Sequence, residues 1–188
     1  MTGKKIHKPV KWIGVDKGPD WGIIFGIPPK SGSSSIRKAI LDEGYEYRRV
    51  DPKSCENRIF VVRDPIDRFK SLWKNKCRDG GKIRASKNGD NHPVQGMSPE
   101  ELFDYITQHS NHHWTPQWIL LGDVEAELVR IEDMADWWDA QDFSTVPYPR
   151  TNVTKGDIDL DPALEAKVRD YYRGDYDLLE RVSKTAAG

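Results

Sequence analysis

The segment that most constrains the fold joins a buried strand to a helix through a turn of small residues. Residues 23–27 (IIFGI) are apolar or glycine and predict a strand buried on both faces. The two prolines at 28–29 end that strand, because neither has a backbone N–H to donate to a sheet. Lys30 and the small residues 31–35 follow, and residues 36–40 begin a helical pattern.

This strand–turn–helix segment predicts an anion site. The first N–H groups of a helix have no intrahelical partner, and the helix dipole adds partial positive charge there. We expect a phosphate or sulfate group to bind to Lys30, Ser31, Gly32, Ser33, Ser34 and Ser35. Two alternatives fit the same pattern: a turn whose serines only cap the helix, and a nucleotide-binding loop. The second is disfavoured because the Walker order Gly-Lys-Ser/Thr occurs nowhere in the chain.

The composition argues against several classes of protein. The formal net charge of −1 gives no general attraction to nucleic acid or to a membrane surface. Cys55 and Cys77 form no metal-spaced cluster, and we expect free thiols in a reducing compartment. Residues 1–10 do not resemble a signal peptide, and no apolar run approaches the ~18 residues of a membrane span. We therefore expect a soluble cytoplasmic protein without nucleic-acid or membrane partners, of unknown oligomeric state.

The length of 188 residues predicts one domain spanning 1–188. Residues 1–22 form an N-terminal extension in which 11–15 have the pattern of a short edge strand. Residues 78–97 lack periodicity and predict a long, exposed, mobile loop. Its basic side chains either attract an acidic acceptor or are merely solvated: Arg78, Lys82, Arg84 and Lys87.

A second buried strand, 58–63, runs directly into a helix that Asp64 caps and Pro65 begins. Arg63 therefore falls at the carboxyl end of a strand, where open α/β sheets bind their ligands. Ser71 follows two helical turns later and can face the same crevice. The alternative is a structural ion pair between Arg63 and the neighbouring acidic residues.

The histidines at 109, 112 and 113 are not a His-x-x-x-His pair with the following glutamate of a zinc site, and no cysteine is near, so we predict no metal. Two interpretations remain: one of these histidines acts as a general base in a cleft, or the three form a plain surface cluster.

A further strand, 127–131, ends at Glu132. Ser98 and Glu101 predict a capping box at the start of a helix, and Asp161 predicts the cap of the first of two closing helices, a helix that Gly174 ends. Strands alternating with helices predict a three-layer α/β domain, of the kind seen in P-loop NTPases, with a mainly parallel sheet.

Several segments together resemble the sulfotransferases. Residues 29–35 (PKSGSSS) resemble their 5′-phosphosulfate loop, and 62–71 (VRDPIDRFKS) resemble their 3′-phosphate motif, with the Arg-to-Ser spacing intact. Residues 113–117 (HWTPQ) and 129–134 (VRIEDM) are most similar to the carbohydrate sulfotransferases. The similarity extends from about residue 23 to about residue 182, although the chain is short for that group and we expect no membrane anchor or stem.

The resemblance implies a donor, 3′-phosphoadenosine 5′-phosphosulfate (PAPS), a desulfated product (PAP), and sulfuryl transfer to a hydroxyl or amine without a metal. Residues 31–35 would hold the 5′-phosphosulfate, and Arg63 with Ser71 would grip the 3′-phosphate. Lys30 would stabilise the bridging oxygen, and His113 would act as general base, with His112 and Glu132 as alternatives. Arg68 would assist or support its helix, and Lys155 would close over the donor.

Two other functions stay open on the sequence alone. A small-molecule kinase on the same layered fold predicts magnesium-dependent ATP binding. A non-catalytic module would keep the anion site and bind an acidic glycan or protein without chemistry. A carbohydrate-like or small-molecule acceptor is expected for the enzyme.

Overall fold

The computed structural model describes residues 10–16, 21–83, 91–149, 151 and 158–185. Five strands form one mixed sheet in the order β3-β1-β2-β4-β5. The strands are β1 (Trp12–Asp16), β2 (Trp21–Gly26), β3 (Glu46–Val50), β4 (Arg58–Val62) and β5 (Glu127–Arg130). The β2–β4 and β4–β5 pairs are parallel, whereas β1 is antiparallel to both β2 and β3. Four strands thus point the same way, although the sheet is mixed rather than mainly parallel in its pairings.

Seven α-helices lie in the described part of the chain. They are α1 (Ser33–Asp42), α2 (Pro65–Trp73), α3 (Pro99–Gln108), α4 (Gln117–Leu121), α5 (Met134–Asp139), α6 (Pro162–Tyr171) and α7 (Arg173–Thr185). A π-helical turn, Lys74–Arg78, continues α2. None of the helices among the described residues is long and apolar enough to cross a bilayer.

Helices cover both faces of the sheet, because the central strands are apolar on both sides. On one face, Phe25 and Val61 pack with α1 and α5. On the other, Ile24 and Phe60 pack with α4 and α7. Gly26 is required there, since a Cβ would lie 2.8 Å from the Phe60 ring and 2.9 Å from that of Trp12. A helix–sheet–helix sandwich results, with the carboxyl ends of β2, β4 and β5 at one edge.

A further core joins α2, α3 and α6 beside the sheet. The predicted caps of these helices are present. Asp64 accepts from the N–H groups of Ile66 and Asp67, and Asp161 caps α6 in the same way. Ser98 and Glu101 form a reciprocal capping box at the start of α3. Local sequence therefore fixes where these helices begin.

Three expectations from the sequence need correction. The strand predicted at 11–15 exists as β1, but it pairs on both sides and is not an edge strand. The described parts of 78–97 are not simply exposed, because Ile83 and Val94 are each 1% exposed and belong to the core of α2, α3 and α6. Gly174 does not separate the last two helices; it lies in the first turn of α7.

Candidate active site

A cavity of about 1030 Å³ opens at the carboxyl ends of β2, β4 and β5. It brings together almost all of the residues singled out from the sequence: Lys30, Gly32, Ser33, Ser34, Ser35, Arg63, Ser71 and His113. Cationic side chains outnumber carboxylates in its lining. The cavity therefore favours an anionic ligand although the whole chain carries a net charge of only −1.

The turn between β2 and α1 has an unusual backbone. Lys30 has a φ of 70°, and among the described residues no other residue except glycine has a left-handed conformation. Gly32 has a φ of 80°, and a Cβ at that position would overlap the Ile131 side chain. Strain of this kind in a non-glycine residue is concentrated at functional sites. The turn thus gives up local stability to present its N–H groups and the Lys30 side chain to the cavity.

The N-terminus of α1 begins at this turn. No side chain in the described chain caps the helix, and its first bond runs from the N–H of Ile36 to the carbonyl of Gly32, 3.1 Å away. The N–H groups of residues 33–35 therefore precede the helical ladder and can donate to an anion.

Two of the predicted anion ligands have other partners. Ser31 is fully buried and does not line the cavity; its N–H donates to the Pro28 carbonyl (3.1 Å) and its hydroxyl to Gln117 Oε1 (3.3 Å). The Ser35 hydroxyl is 2.9 Å from that of Thr151 and accepts the Thr151 N–H at 3.0 Å. Both side chains therefore hold the turn in place, and the ligand role predicted for Ser31 and Ser35 stays a prediction.

Arg63 follows β4 and reaches the same turn. Its Nη1 donates to the Lys30 carbonyl at 2.8 Å, whereas its buried Nε has no partner among the described residues. Burial lowers the pKa of Arg63, and nearby Asp67 and Glu132 act in the opposite direction. No ion pair joins Arg63 to these carboxylates among the described residues. The guanidinium thus lies beside the Lys30 turn and keeps one donor available for a ligand.

The helix after Arg63 also contributes to the cavity. Ser71, on α2, is 8% exposed and lines the same cavity as Arg63. The π-helical turn that follows contributes Lys74 and Lys76, neither of which had been singled out from the sequence. Such turns are frequent at functional sites because they break the regular register of a helix.

The charge of Lys30 is sensitive to these neighbours. Burial, followed by the positive charges of Lys76 and Arg63, lowers its pKa from 10.5 to about 8, while Asp79 acts to raise it. The side chain is therefore mostly protonated at neutral pH. It is also poised to gain from a bound anion, because added negative charge would raise its pKa.

His113 lies in the same cavity but lacks the partner that a strong base needs. Burial, followed by the charges of His112, Lys76 and Lys30, lowers its pKa from 6.5 to about 3. Its Nδ1 is buried without a hydrogen-bond partner in the described chain. The imidazole is therefore neutral at neutral pH and can accept a proton only where an anion is bound nearby.

The two alternative bases are less well placed. His112 is exposed and does not line the cavity, although its ring centroid is 4.4 Å from that of His113. Glu132 lines the cavity at its exposed rim after β5, where burial raises its pKa and Arg63 lowers it. The charge of Arg63 thus acts on Glu132, whereas the charge of Lys30 acts on His113.

Arg68 is a support rather than a wall of the cavity. It is 2% exposed, and its guanidinium donates to the carbonyls of Pro29 (3.1 Å) and His113 (3.3 Å). It also lies 5.9 Å from the centre of the Tyr172 ring. One buried cation therefore fixes both the Lys30 turn and the His113 segment, in line with the supporting role predicted as one of two options.

Sequence reasoning missed the residue that joins the parts. The buried Gln117 accepts from the N–H of Arg63 (3.0 Å) and donates to its carbonyl (2.8 Å). It also accepts from Ser31 and donates to the fully buried Asp175, at 3.2 Å. Gln117 had been noted only as part of a motif. An uncharged amide among apolar residues gives no local signal that it links two distant turns.

Some predicted positions lie outside the described residues, namely Arg84, Lys87 and Lys155. Cys55 and Cys77 are both buried and form no disulfide within the described residues. Burial raises the pKa of Cys77 to about 12. No group of three or more potential metal ligands occurs in the ranges that the structure describes.

The fold and this cavity define an α/β protein with a positively charged site at the carboxyl edge of a mixed sheet. The sequence profile of the sulfotransferase family matches residues 19–122, more than half of the chain. The chain belongs to the sulfotransferase family, as the resemblance of its two anion-binding motifs had predicted.

A curated protein that is similar to part of the chain is not named as a sulfotransferase. A D-alanine–D-alanine ligase of Maridesulfovibrio salexigens is 31% identical over 99 residues, which make up 48% of this chain and 32% of that protein. The chain thus spans about a third of the length of that relative, too little to transfer its activity. No solved structure matches the chain significantly.

Proposed function

We propose that the protein transfers the sulfuryl group of PAPS to a hydroxyl or amine of a carbohydrate-like or small-molecule acceptor by in-line displacement. One observation carries the proposal: the Arg63 guanidinium is hydrogen-bonded to the Lys30 carbonyl at 2.8 Å. The two turns proposed for the two ends of the donor therefore share one cavity rather than lying on separate surfaces.

The described residues fit this donor. A cavity of about 1030 Å³ is at the upper end of the size of small-molecule sites. The uncapped N-terminus of α1 suits the 5′-phosphosulfate, and Gly32 permits its close approach. The unpartnered Nε of Arg63, together with Ser71, suits the 3′-phosphate. We extend the fold assignment accordingly to a P-loop-like domain.

Lys30 and His113 are the proposed catalytic residues. When bound, the donor supplies an activated sulfuryl group. Lys30 would hold its ammonium against the bridging oxygen as negative charge develops there, a preorganised electrostatic contribution. His113 would accept the acceptor's proton at Nε2, after the anionic donor raises the pKa of the imidazole. Loss of a positioned base typically costs about 10²–10⁴-fold in rate.

Calorimetry with PAP tests the proposal without knowledge of the acceptor. The protein should bind PAP at least about tenfold more tightly than AMP, because the 3′-phosphate adds a charge-assisted contact to Arg63. Equal affinities for PAP and AMP would reject the proposal. Tight, magnesium-dependent ATP binding would instead support the kinase alternative.

Matched variants show which residues cause the preference for PAP over AMP. Arg63→Ala should remove the preference for PAP, and Ser71→Ala should reduce it without disturbing the Lys30 carbonyl. Arg37→Ala is the control, because Arg37 is an exposed arginine of α1 that does not line the cavity. A preference that survives both Arg63→Ala and Ser71→Ala would place the 3′-phosphate elsewhere. Intact PAP binding without transfer to a broad acceptor panel would favour the non-catalytic module.

A further inference from the structure

Tyr148 is a cavity residue that neither the motifs nor the proposed mechanism uses. It lies in the loop after α5 and lines the cavity together with Ser33, Ser34 and Ser35. Its hydroxyl would be 3.9 Å from a Cβ placed on Gly32, so it lies over the start of α1. The phenolic oxygen is buried, with no hydrogen-bond partner among the described residues. A buried unpaired hydroxyl is costly, which calls for a partner.

The loop that carries Tyr148 is fastened to both ends of α1. At the C-terminal end, the Glu43 carboxylate accepts from the N–H groups of Thr145 (2.8 Å) and Val146 (3.0 Å). At the N-terminal end, Ser35 is bonded to Thr151. Between these points, the Tyr148 N–H donates to Asp139 at 3.3 Å and its ring packs on Trp138. The ring is therefore held in place beside the anion turn.

The protonation state of Tyr148 suits a donor. Burial raises its pKa, and the neighbouring Ser35 hydroxyl lowers it by a smaller amount, although no hydrogen bond joins the two. The phenol therefore keeps its proton at any working pH. A neutral O–H can donate to an anion without competing for a counter-charge.

We propose that Tyr148 is an additional ligand of the 5′-phosphosulfate group, donating its hydroxyl to an anionic oxygen held at the N-terminus of α1. The inference rests on the proposed function and extends it: three parts of the chain converge on the 5′ end, namely the Lys30 turn, α1 and the loop after α5.

The test compares PAP with adenosine 3′-phosphate, which lacks the 5′ group. Tyr148→Phe removes only the hydroxyl and should weaken PAP binding by about tenfold or more, the usual range for a hydrogen bond to a charged group. It should leave the affinity for adenosine 3′-phosphate within about twofold. Tyr171→Phe is the control, because Tyr171 is packed in the core of α2, α3 and α6 and does not line the cavity.

The possible failures are distinguishable. Unchanged PAP binding in Tyr148→Phe, with the wild type still preferring PAP over AMP, would overturn the role of Tyr148 alone. Equal losses for PAP and adenosine 3′-phosphate would assign the hydroxyl to general support of the cavity and also overturn it. A wild type without preference for PAP over AMP would overturn the proposed function itself.

Discussion

His113 makes the stability of this protein depend on pH in a way that can be calculated. The pKa of its imidazole is 6.5 in the unfolded chain and about 3 in the folded protein, because burial and nearby cations oppose protonation. Between these values only the unfolded state binds the proton. The contribution of a neutral His113 to stability is therefore fully present above pH 6.5 and is lost as the pH falls toward 3. Integration gives a loss of about 2 kcal/mol between pH 7 and pH 5 from this one group.

Urea denaturation at pH 7, 6 and 5 measures the effect. His113→Gln should lose about 2 kcal/mol less than the wild type over this range, whatever its stability at pH 7. Other titrating groups act on both proteins, so the difference isolates His113.

Two results would refute the reasoning about His113. One is the same pH dependence in the wild type and in His113→Gln. The other is an NMR titration of the His113 ring with a midpoint near 6.5, which would mean that the imidazole is better solvated or better partnered than its surroundings indicate. Bound PAP should move that midpoint upward, because its negative charge stabilises the imidazolium.

Three further predictions concern the turn and its support. Gly32→Ala should destabilise the fold by at least about 1–2 kcal/mol, since it places a Cβ at a φ of 80° against Ile131; a stability within about 0.5 kcal/mol of the wild type in urea would contradict this. Lys30→Gly should retain or gain up to about 1 kcal/mol, since its φ of 70° suits glycine, yet transfer from PAPS should be lost; destabilisation by more than about 1 kcal/mol in the same assay would count against strain at this residue. Gln117→Leu should cost about 2–4 kcal/mol, because it leaves the Arg63 N–H and carbonyl without their side-chain partner and removes one donor to Asp175, which keeps the Trp118 N–H; an unchanged thermal midpoint would exclude the linking role.

The parts of the fold that follow from local chemistry were predictable. The turn at Lys30 could be recognised because a strand, two prolines and a run of serines follow each other directly. Asp64, Ser98 and Asp161 cap their helices as predicted, since a capping side chain bonds to N–H groups only two or three residues away. Arg63 could be placed at the carboxyl end of a strand because it directly follows a buried strand in the sequence.

The remainder depends on contacts between distant segments. Gln117 is 54 residues from Arg63, and nothing near Gln117 in the sequence indicates that contact. β1 lies inside the sheet because β3 pairs with its far side, a choice that its own pattern cannot reveal. Likewise, the titration of His113 depends on Lys76 and on the absence of a partner for Nδ1 in the described chain, which only the packing determines.

The bond between Ser35 and Thr151 ties the first helix to a segment 116 residues further along. The portion matched by the family profile, 19–122, contains Lys30, Arg63 and His113 but stops before Thr151. A fragment or chimaera limited to that portion would thus carry the charged groups without the Thr151 segment that holds α1 in position. Transplanting this chemistry into another scaffold requires the late loop as well as the two motifs that identify the family.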